Sequence, residues 1–427
     1  MTLKERLHAW LYRSETALKV DVRYIVRGGF WTALRFAAGF GASIASMVAF
    51  GNLLPKENYG TYSYLLSLAS SLGFLTLSGI GPGVIRAVAK GQENILYYAV
   101  NLQLRYNLLA TGTIVAAAGY YYVKGNSLFA ISLAILAIAI PFEAAYHIYE
   151  HILIGRKRFD TLAILTSLSS IGSAAATVLA LLFTDSVLVL VTMYAIMSLG
   201  PSFLAFALVT RHLPKTKPNT EDANDLRHTA FHITGAGIIG TLAQYVDKIV
   251  LFQVAGPVAL ATYGFAVAGP EKLKGLVKDW VNIAMPRLTH RKISEIRSVF
   301  YKRMALSIVA GAAIASIYML LVPILFRLLL PKYLDSIMYS QVYALGLILI
   351  PALVYIGNIF YSQNMLRAIY ITSTGNQILR ITLLIIGGAL WQTWGLVAGF
   401  LLSQVLSTIF CIIIWERESL RLEHEMP

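Results

Sequence analysis

Five charged residues crowd into one otherwise apolar stretch: Glu271, Lys272, Lys274, Lys278 and Asp279. On a helix, Glu271, Lys274 and Lys278 fall at i, i+3 and i+7 and share one face. That face is net positive, which suits an anionic, phosphate-bearing ligand in a low-dielectric cavity. Two placements are open. The helix either continues across a membrane, or it ends near Gly269 at the natural break of Pro270 and these residues lie at an interface. Arg35 and Arg380 sit shortly after the starts of two other apolar segments. Each either snorkels to the surface or stands at the mouth of a cavity, where it would hold a diphosphate through bidentate contacts. Asp247 and Lys248 are adjacent, as an interfacial pair or with Asp247 serving cation or proton coupling. Glu271 is the second coupling candidate. His147 to His151 reads H-x-x-E-H, a zinc-peptidase pattern, but three fixed positions are weak and no downstream acidic ligand follows. A polar helix end is expected there, and no metal site. No G-x-x-x-x-G-K-[ST] loop and no Ser/His/Asp or Cys/His arrangement stands out. The residues therefore point to binding rather than catalysis, with no catalytic residue, no cofactor and no enzyme expected.

The elements that must position these charges are membrane helices. Of 427 residues, 57% are hydrophobic and 13% charged, with a mean hydropathy of +0.66. Soluble domains carry about 25% charged residues. So much apolar surface cannot be buried in water, and the bilayer must serve as solvent. Nucleic acid is not expected as the partner of the +14 net charge, because basic residues of such a chain collect in cytoplasmic loops. The single cysteine, Cys411, excludes a disulfide framework. Spanning takes roughly 20 apolar residues. Twelve segments qualify, at about 29–51, 62–82, 104–123, 127–150, 161–183, 186–210, 231–253, 258–284, 302–326, 338–361, 375–391 and 393–415. Backbone groups in lipid must be satisfied within each segment, so an all-α protein follows. Pro141, Pro201, Pro270, Pro323 and Pro351 would kink their helices where they fall inside them.

With the N-terminus inside, 25 of the 35 Lys and Arg residues fall in cytoplasmic segments, against four outside: Lys56, Lys124, Arg327 and Lys332. This asymmetry predicts an even number of spans with both termini cytoplasmic. The longest polar stretch, Arg211 to His228, divides the chain near its middle. Gly60-Thr61-Tyr62 is echoed by Ala261-Thr262-Tyr263, and at the same offset Arg86 falls on Arg287 and Lys90 on Arg291. The expected organisation is an interfacial segment at 1–28, a six-helix lobe at 29–210, a cytoplasmic linker at 211–230, a second six-helix lobe at 231–415, and a cytoplasmic tail at 416–427. Two lobes that start on the same side form a parallel repeat, and transporter sites commonly lie where repeats meet.

The run from Leu54 to Tyr62, with Gly79-Ile80-Gly81 and Arg86, resembles the first hairpin of the oligosaccharide flippase (polysaccharide transporter) family. That family belongs to the multidrug/oligosaccharidyl-lipid/polysaccharide exporter superfamily. Gln244-Tyr245-Val246-Asp247-Lys248 is similar to its helix 7 pattern, an Asp followed by a basic residue. Thr262-Tyr263-Gly264, Pro286-Arg287-Leu288 and Gly155 to Phe159 are similar to further hairpins and loops of the family. The chain departs from the pattern in the heavy charge between Pro270 and Asp279. The resemblance implies two six-helix lobes around a central, often cationic cavity. It also implies alternating access that flips a polyprenyl-diphosphate-linked oligosaccharide from the inner to the outer leaflet of the cell membrane. The expected partners are then the lipid-linked oligosaccharide diphosphate and membrane lipids, with glycosyltransferases and a polysaccharide polymerase as further candidates. Arg35, Lys274, Lys278 and Arg380 would hold the diphosphate, with Asp247 or Glu271 coupling to an ion gradient. A cation-coupled drug or small-molecule antiporter of the same superfamily, which needs an acidic cavity, and a lipid II flippase remain alternatives.

Overall fold

The computed structural model describes residues 22–211, 219–282, 285–289 and 291–425. Most of the expected interfacial segment, and residues 212–218 of the expected linker, lie outside the described residues. Among those described, every regular element is a helix and no strand occurs. In chain order the α-helices are α1 (Val22–Leu53), α2 (Lys56–Leu72), α3 (Ile80–Ala89), α4 (Ile95–Val123), α5 (Ser127–Tyr146), α6 (Ile148–Gly155), α7 (Phe159–Phe183) and α8 (Val187–Thr210). There follow α9 (Thr220–Ala243), α10 (Val246–Asn282), α11 (Met285–Thr289), α12 (Ile293–Leu329), α13 (Ser336–Ala344), α14 (Ile350–Ser362) and α15 (Leu366–Glu425).

Eight helical segments are long and apolar enough to cross a membrane, nine with the interrupted pair α2–α3. Two of the eight, Thr220–Asn282 and Leu366–Leu422, run to 63 and 57 residues and are each broken inside, so each supplies two spans. Together with the 29-residue α4, the expected twelve are accounted for. The breaks are chemical. Gly256 at φ +81° interrupts α10, a conformation open to glycine without steric cost. In α15 the turn falls on Trp391 and Gln392, between the expected spans 375–391 and 393–415. Large apolar side chains such as Val123, Phe183 and Leu328 stand 75–86% exposed, an arrangement suited to lipid rather than water.

The chain forms two compact units. The first comprises 1–49, 75–184 and 188–235, so its second span contributes only from residue 75. Its core packs Ile80, Val84, Ile148, Ile152 and Leu226. Helices α3 and α6 approach closely; a Cβ at Gly155 would meet the Val88 side chain at 2.7 Å. In α5, Pro141 has no N–H for the carbonyl of Ala137, and the Thr111 hydroxyl of α4 donates to that carbonyl at 3.0 Å. Asn107 donates to the Pro141 carbonyl and Gln103 to that of Ala144. Helix α9 begins at Thr220, well ahead of residue 231, because Glu221 and Asp222 favour a helix N-terminus. Arg86 then pairs with Asp225 at 2.9 Å. The polar stretch is thus partly helix rather than linker throughout.

The second unit comprises 50–74, 185–187 and 236–427. It contains α2, which the expected division at 29–210 had assigned to the first half. Gly60 explains this packing: the backbone of Pro257 in α10 lies so near that no Cβ fits. A second core gathers Phe300, Ile356, Phe360 and Trp415, with the Phe300 and Trp415 rings stacked at 5.0 Å. Pro141, Pro201, Pro270 and Pro323 lie inside helices, whereas Pro351 starts α14. Helix α15 continues through the expected tail to Glu425.

Candidate functional site

Within the second unit, a cavity of about 560 Å3 is built on the limb of α10 that follows Gly256. Gly264, Val267, Ala268, Glu271, Lys274, Gly275 and Lys278 all line it, a spacing of three and four residues that turns one helix face inward. Pro270 does not end this helix, which runs on to Asn282. At the equivalent place of the first half, 201 positions earlier, the helix is interrupted between Leu75 and Ile80. The continuity of α10 is what carries Lys274 and Lys278 onto the face that Glu271 begins.

The rest of the wall comes from the same unit. Asp247 and Lys248 open α10, Gln244 and Tyr245 form the turn before it, Tyr343 closes α13, and Gln377 and Arg380 lie one turn apart on α15. Tyr59 of α2 also contributes. Five of the six residues given a binding or coupling role from sequence therefore share one cavity: Asp247, Glu271, Lys274, Lys278 and Arg380. Four cations, counting Lys248, face two carboxylates there. Lys272 and Asp279 do not line the cavity.

Both carboxylates are held. Asp247 is 5% exposed and accepts from the Tyr263 hydroxyl and the Lys248 amide, each at 2.8 Å. Glu271 accepts from Lys274 Nζ at 2.8 and 2.9 Å, and from the Tyr343 hydroxyl at 2.6 Å. The Tyr343 ring stacks on Phe400 with centroids 4.0 Å apart. Lys274 and Arg380 each lie 5.8 Å from the centre of that same Phe400 ring, a cation–π geometry. Arg380 Nε is buried with no hydrogen-bond partner among the described residues. Lys278 is exposed and has no ion pair among them.

A second cavity, of about 290 Å3, shares Lys274, Lys278, Gln377 and Arg380 with the first. Asn376, Ser403, Gln404 and Ser407 add amide and hydroxyl groups, and no carboxylate lines it. Tyr343, Phe400 and these amides were not singled out from sequence, because aromatic and small polar residues in apolar runs look like packing. Gln377 offered one signal, a polar side chain three residues from Arg380 within a span.

Arg35 belongs to the first unit, where it meets Glu150 at 3.6 Å. Glu150 also contacts His147 at 3.0 Å, and His147 reaches Glu143 at 3.6 Å and Ser202 at 3.2 Å. A single turn residue, His147, separates α5 from α6, and the H-x-x-E-H residues fall at this junction. Among the described residues, no group of three His, Cys, Asp or Glu side chains is placed to hold a metal ion.

A sequence model of the polysaccharide biosynthesis protein family matches residues 25–269. No curated protein sequence matches the chain. Among solved structures, the chain is similar to a multidrug resistance MATE family transporter of the MOP superfamily in an inward-facing conformation. The TM-score is 0.70 at 12% identity, covering 92% of this chain and 99% of that one. The outward-facing conformation of such a transporter gives 0.57 at 14% identity, over 94% and 96%. A MOP superfamily transporter from Pyrococcus furiosus, described by a binding pocket of reverse polarity that suggests a different function, gives 0.58 at 14% identity, over 94% and 96%. These likenesses establish the fold: an all-α, two-lobed membrane architecture of about twelve helices.

Proposed function

The chain belongs to the polysaccharide biosynthesis protein family, and on that premise we propose that it flips a polyprenyl-diphosphate-linked oligosaccharide from the inner to the outer leaflet by alternating access, for surface polysaccharide synthesis. The observation that carries this reading is the cationic wall of Lys274, Lys278 and Arg380 in one cavity of a membrane protein. Charges placed inside a membrane protein are costly and mark substrate paths. Cations that outnumber carboxylates favour an anionic head group, and Arg380 brings a guanidinium to the cavity wall. The amide and hydroxyl groups of the adjoining cavity suit a saccharide.

In this reading the protein is a carrier in the cell (inner) membrane and not an enzyme, with both termini cytoplasmic as the loop charges predict. Glycosyltransferases would supply its lipid-linked substrate, and a polysaccharide polymerase would consume it. Asp247 and Glu271 would couple the cycle to an ion gradient. Arg35 would add to diphosphate recruitment once released from Glu150. Replacing Lys274 and Lys278 together with Ala is expected to abolish surface polysaccharide at unchanged protein level, scored by immunoblot and surface staining. Normal polysaccharide would overturn the proposal.

One observation favours a second reading. Asp247 is a buried carboxylate on the same cavity, as a cation-coupled drug antiporter requires. Drug resistance that depends on Asp247 and survives the loss of both lysines would select that reading. A lipid II flippase shares the anionic head group, and transport of lipid II by the purified protein would identify it.

A further inference from the structure

The cavity contains a feature that anion binding alone does not call for: the carboxylate of Glu271, seated on Lys274. Both carboxylate oxygens lie within 2.9 Å of Lys274 Nζ, and the Tyr343 hydroxyl holds one of them from another helix at 2.6 Å. Tyr343 is in turn fixed by its stack on Phe400, the ring beneath both Lys274 and Arg380. Glu271 is therefore oriented by a donor that does not depend on Lys274.

We infer that Glu271 is a built-in counter-anion, which occupies Lys274 in the unloaded protein and is displaced from it by the phosphate of an incoming anionic ligand. The inference rests on the anionic-substrate reading above and specifies how that site exchanges its charge. With the cavity empty, Lys274, Lys278 and Arg380 would repel one another across a poorly solvated space. One carboxylate on Lys274 relieves this repulsion while Arg380 and Lys278, which line the cavity, keep no ion pair among the described residues. A ligand diphosphate would meet those two groups first. It would then compete with Glu271 for Lys274.

When Lys274 changes partner, Glu271 keeps the hydrogen bond from Tyr343, so its charge is not left without a donor. No net charge is lost by either partner in the exchange. The cost of breaking the Lys274–Glu271 pair lowers affinity for the anion and speeds its departure. A carrier must bind its cargo firmly enough to load it and weakly enough to release it. A glutamate at this position adjusts that balance.

The test measures binding of inorganic pyrophosphate and of farnesyl diphosphate to the purified full-length protein by titration calorimetry. Glu271→Gln keeps size and hydrogen bonding but removes the charge, and is expected to tighten diphosphate binding about tenfold. In the Lys274→Gln background that gain is expected to vanish, which places the effect on this pair rather than on the general field. A merely structural role for Glu271 would weaken binding, not strengthen it. The same gain with both probes assigns recognition to the head group, whereas a gain with farnesyl diphosphate alone includes the carbon chain; either result supports the exchange. Wild-type binding that Glu271→Gln leaves equal or weaker overturns the counter-anion while sparing the anionic site. So does a gain that persists without Lys274. Failure of the wild type and every variant to bind either diphosphate overturns both.

Discussion

At the scale of single residues, partners decide what a charge can do. In sequence Lys274 stands in a charged cluster with Glu271 three residues before it, whereas Arg380 is a lone cation in an apolar run. In the structure one is paired with Glu271 and the other retains an unpaired Nε. Ion pairs outside the spans behave more simply. Glu93, between α3 and α4, takes two contacts from Arg156, at 2.7 and 2.8 Å. Those hydrogen bonds hold its carboxyl below the ordinary value, against an opposing effect of burial. Because the folded-state pKa is lowered, the pair stabilises the protein above the ordinary carboxylate pKa. The contribution fades as pH falls through the lowered value. Both side chains are about a third exposed, so Glu93→Gln is expected to cost less than about 1 kcal/mol at pH 7. Thermal unfolding in detergent should show the wild-type advantage shrinking from pH 7 toward pH 4. An advantage that grows toward acid would contradict this assignment.

At the scale of elements, the helices lie where hydropathy suggests, often running past the expected bounds, and are interrupted where local chemistry demands. Proline and glycine are the agents, with opposite consequences along α10. Gly256 breaks the helix by its positive φ, whereas Pro270 is absorbed within it, and so the charged face stays continuous. Proline in a membrane helix leaves a carbonyl to be satisfied by a neighbour. The α4–α5 pair does this through Thr111, Asn107 and Gln103. Thr111→Val, which keeps shape and removes the donor, is expected to cost about 1 kcal/mol. The readout is a lower midpoint of thermal unfolding in detergent, with α-helical content unchanged. An unaltered midpoint would show that the Ala137 carbonyl finds another donor.

At the scale of the whole molecule, orientation follows from charge that lies outside the membrane. The 25-to-4 partition of Lys and Arg predicts that the loop at Lys90 lies inside the cell and the loop at Lys124 outside. Both residues are exposed, and the single native thiol, Cys411, is buried, so introduced cysteines give a clean signal. Lys124→Cys is expected to react with a membrane-impermeant maleimide in intact cells, and Lys90→Cys only after permeabilisation. The reverse pattern would invert the topology, and with it the proposed direction of flipping.

The number of spans, the all-α class and the candidate cations were legible in the amino-acid sequence, because the cost of placing a residue in lipid depends mainly on that residue and its immediate neighbours. The sequence also showed that Glu271, Lys274 and Lys278 share a face, since helical spacing is a local rule. It did not show that α2 packs with α10, that Arg35 is held by Glu150, or that Tyr343 and Phe400 gather the charges of α10 and α15 around one ring. Those relations join residues far apart in the chain. Only tertiary packing decides them, because charges of one sign and their partners share a cavity by the way helices meet, and no local pattern records that.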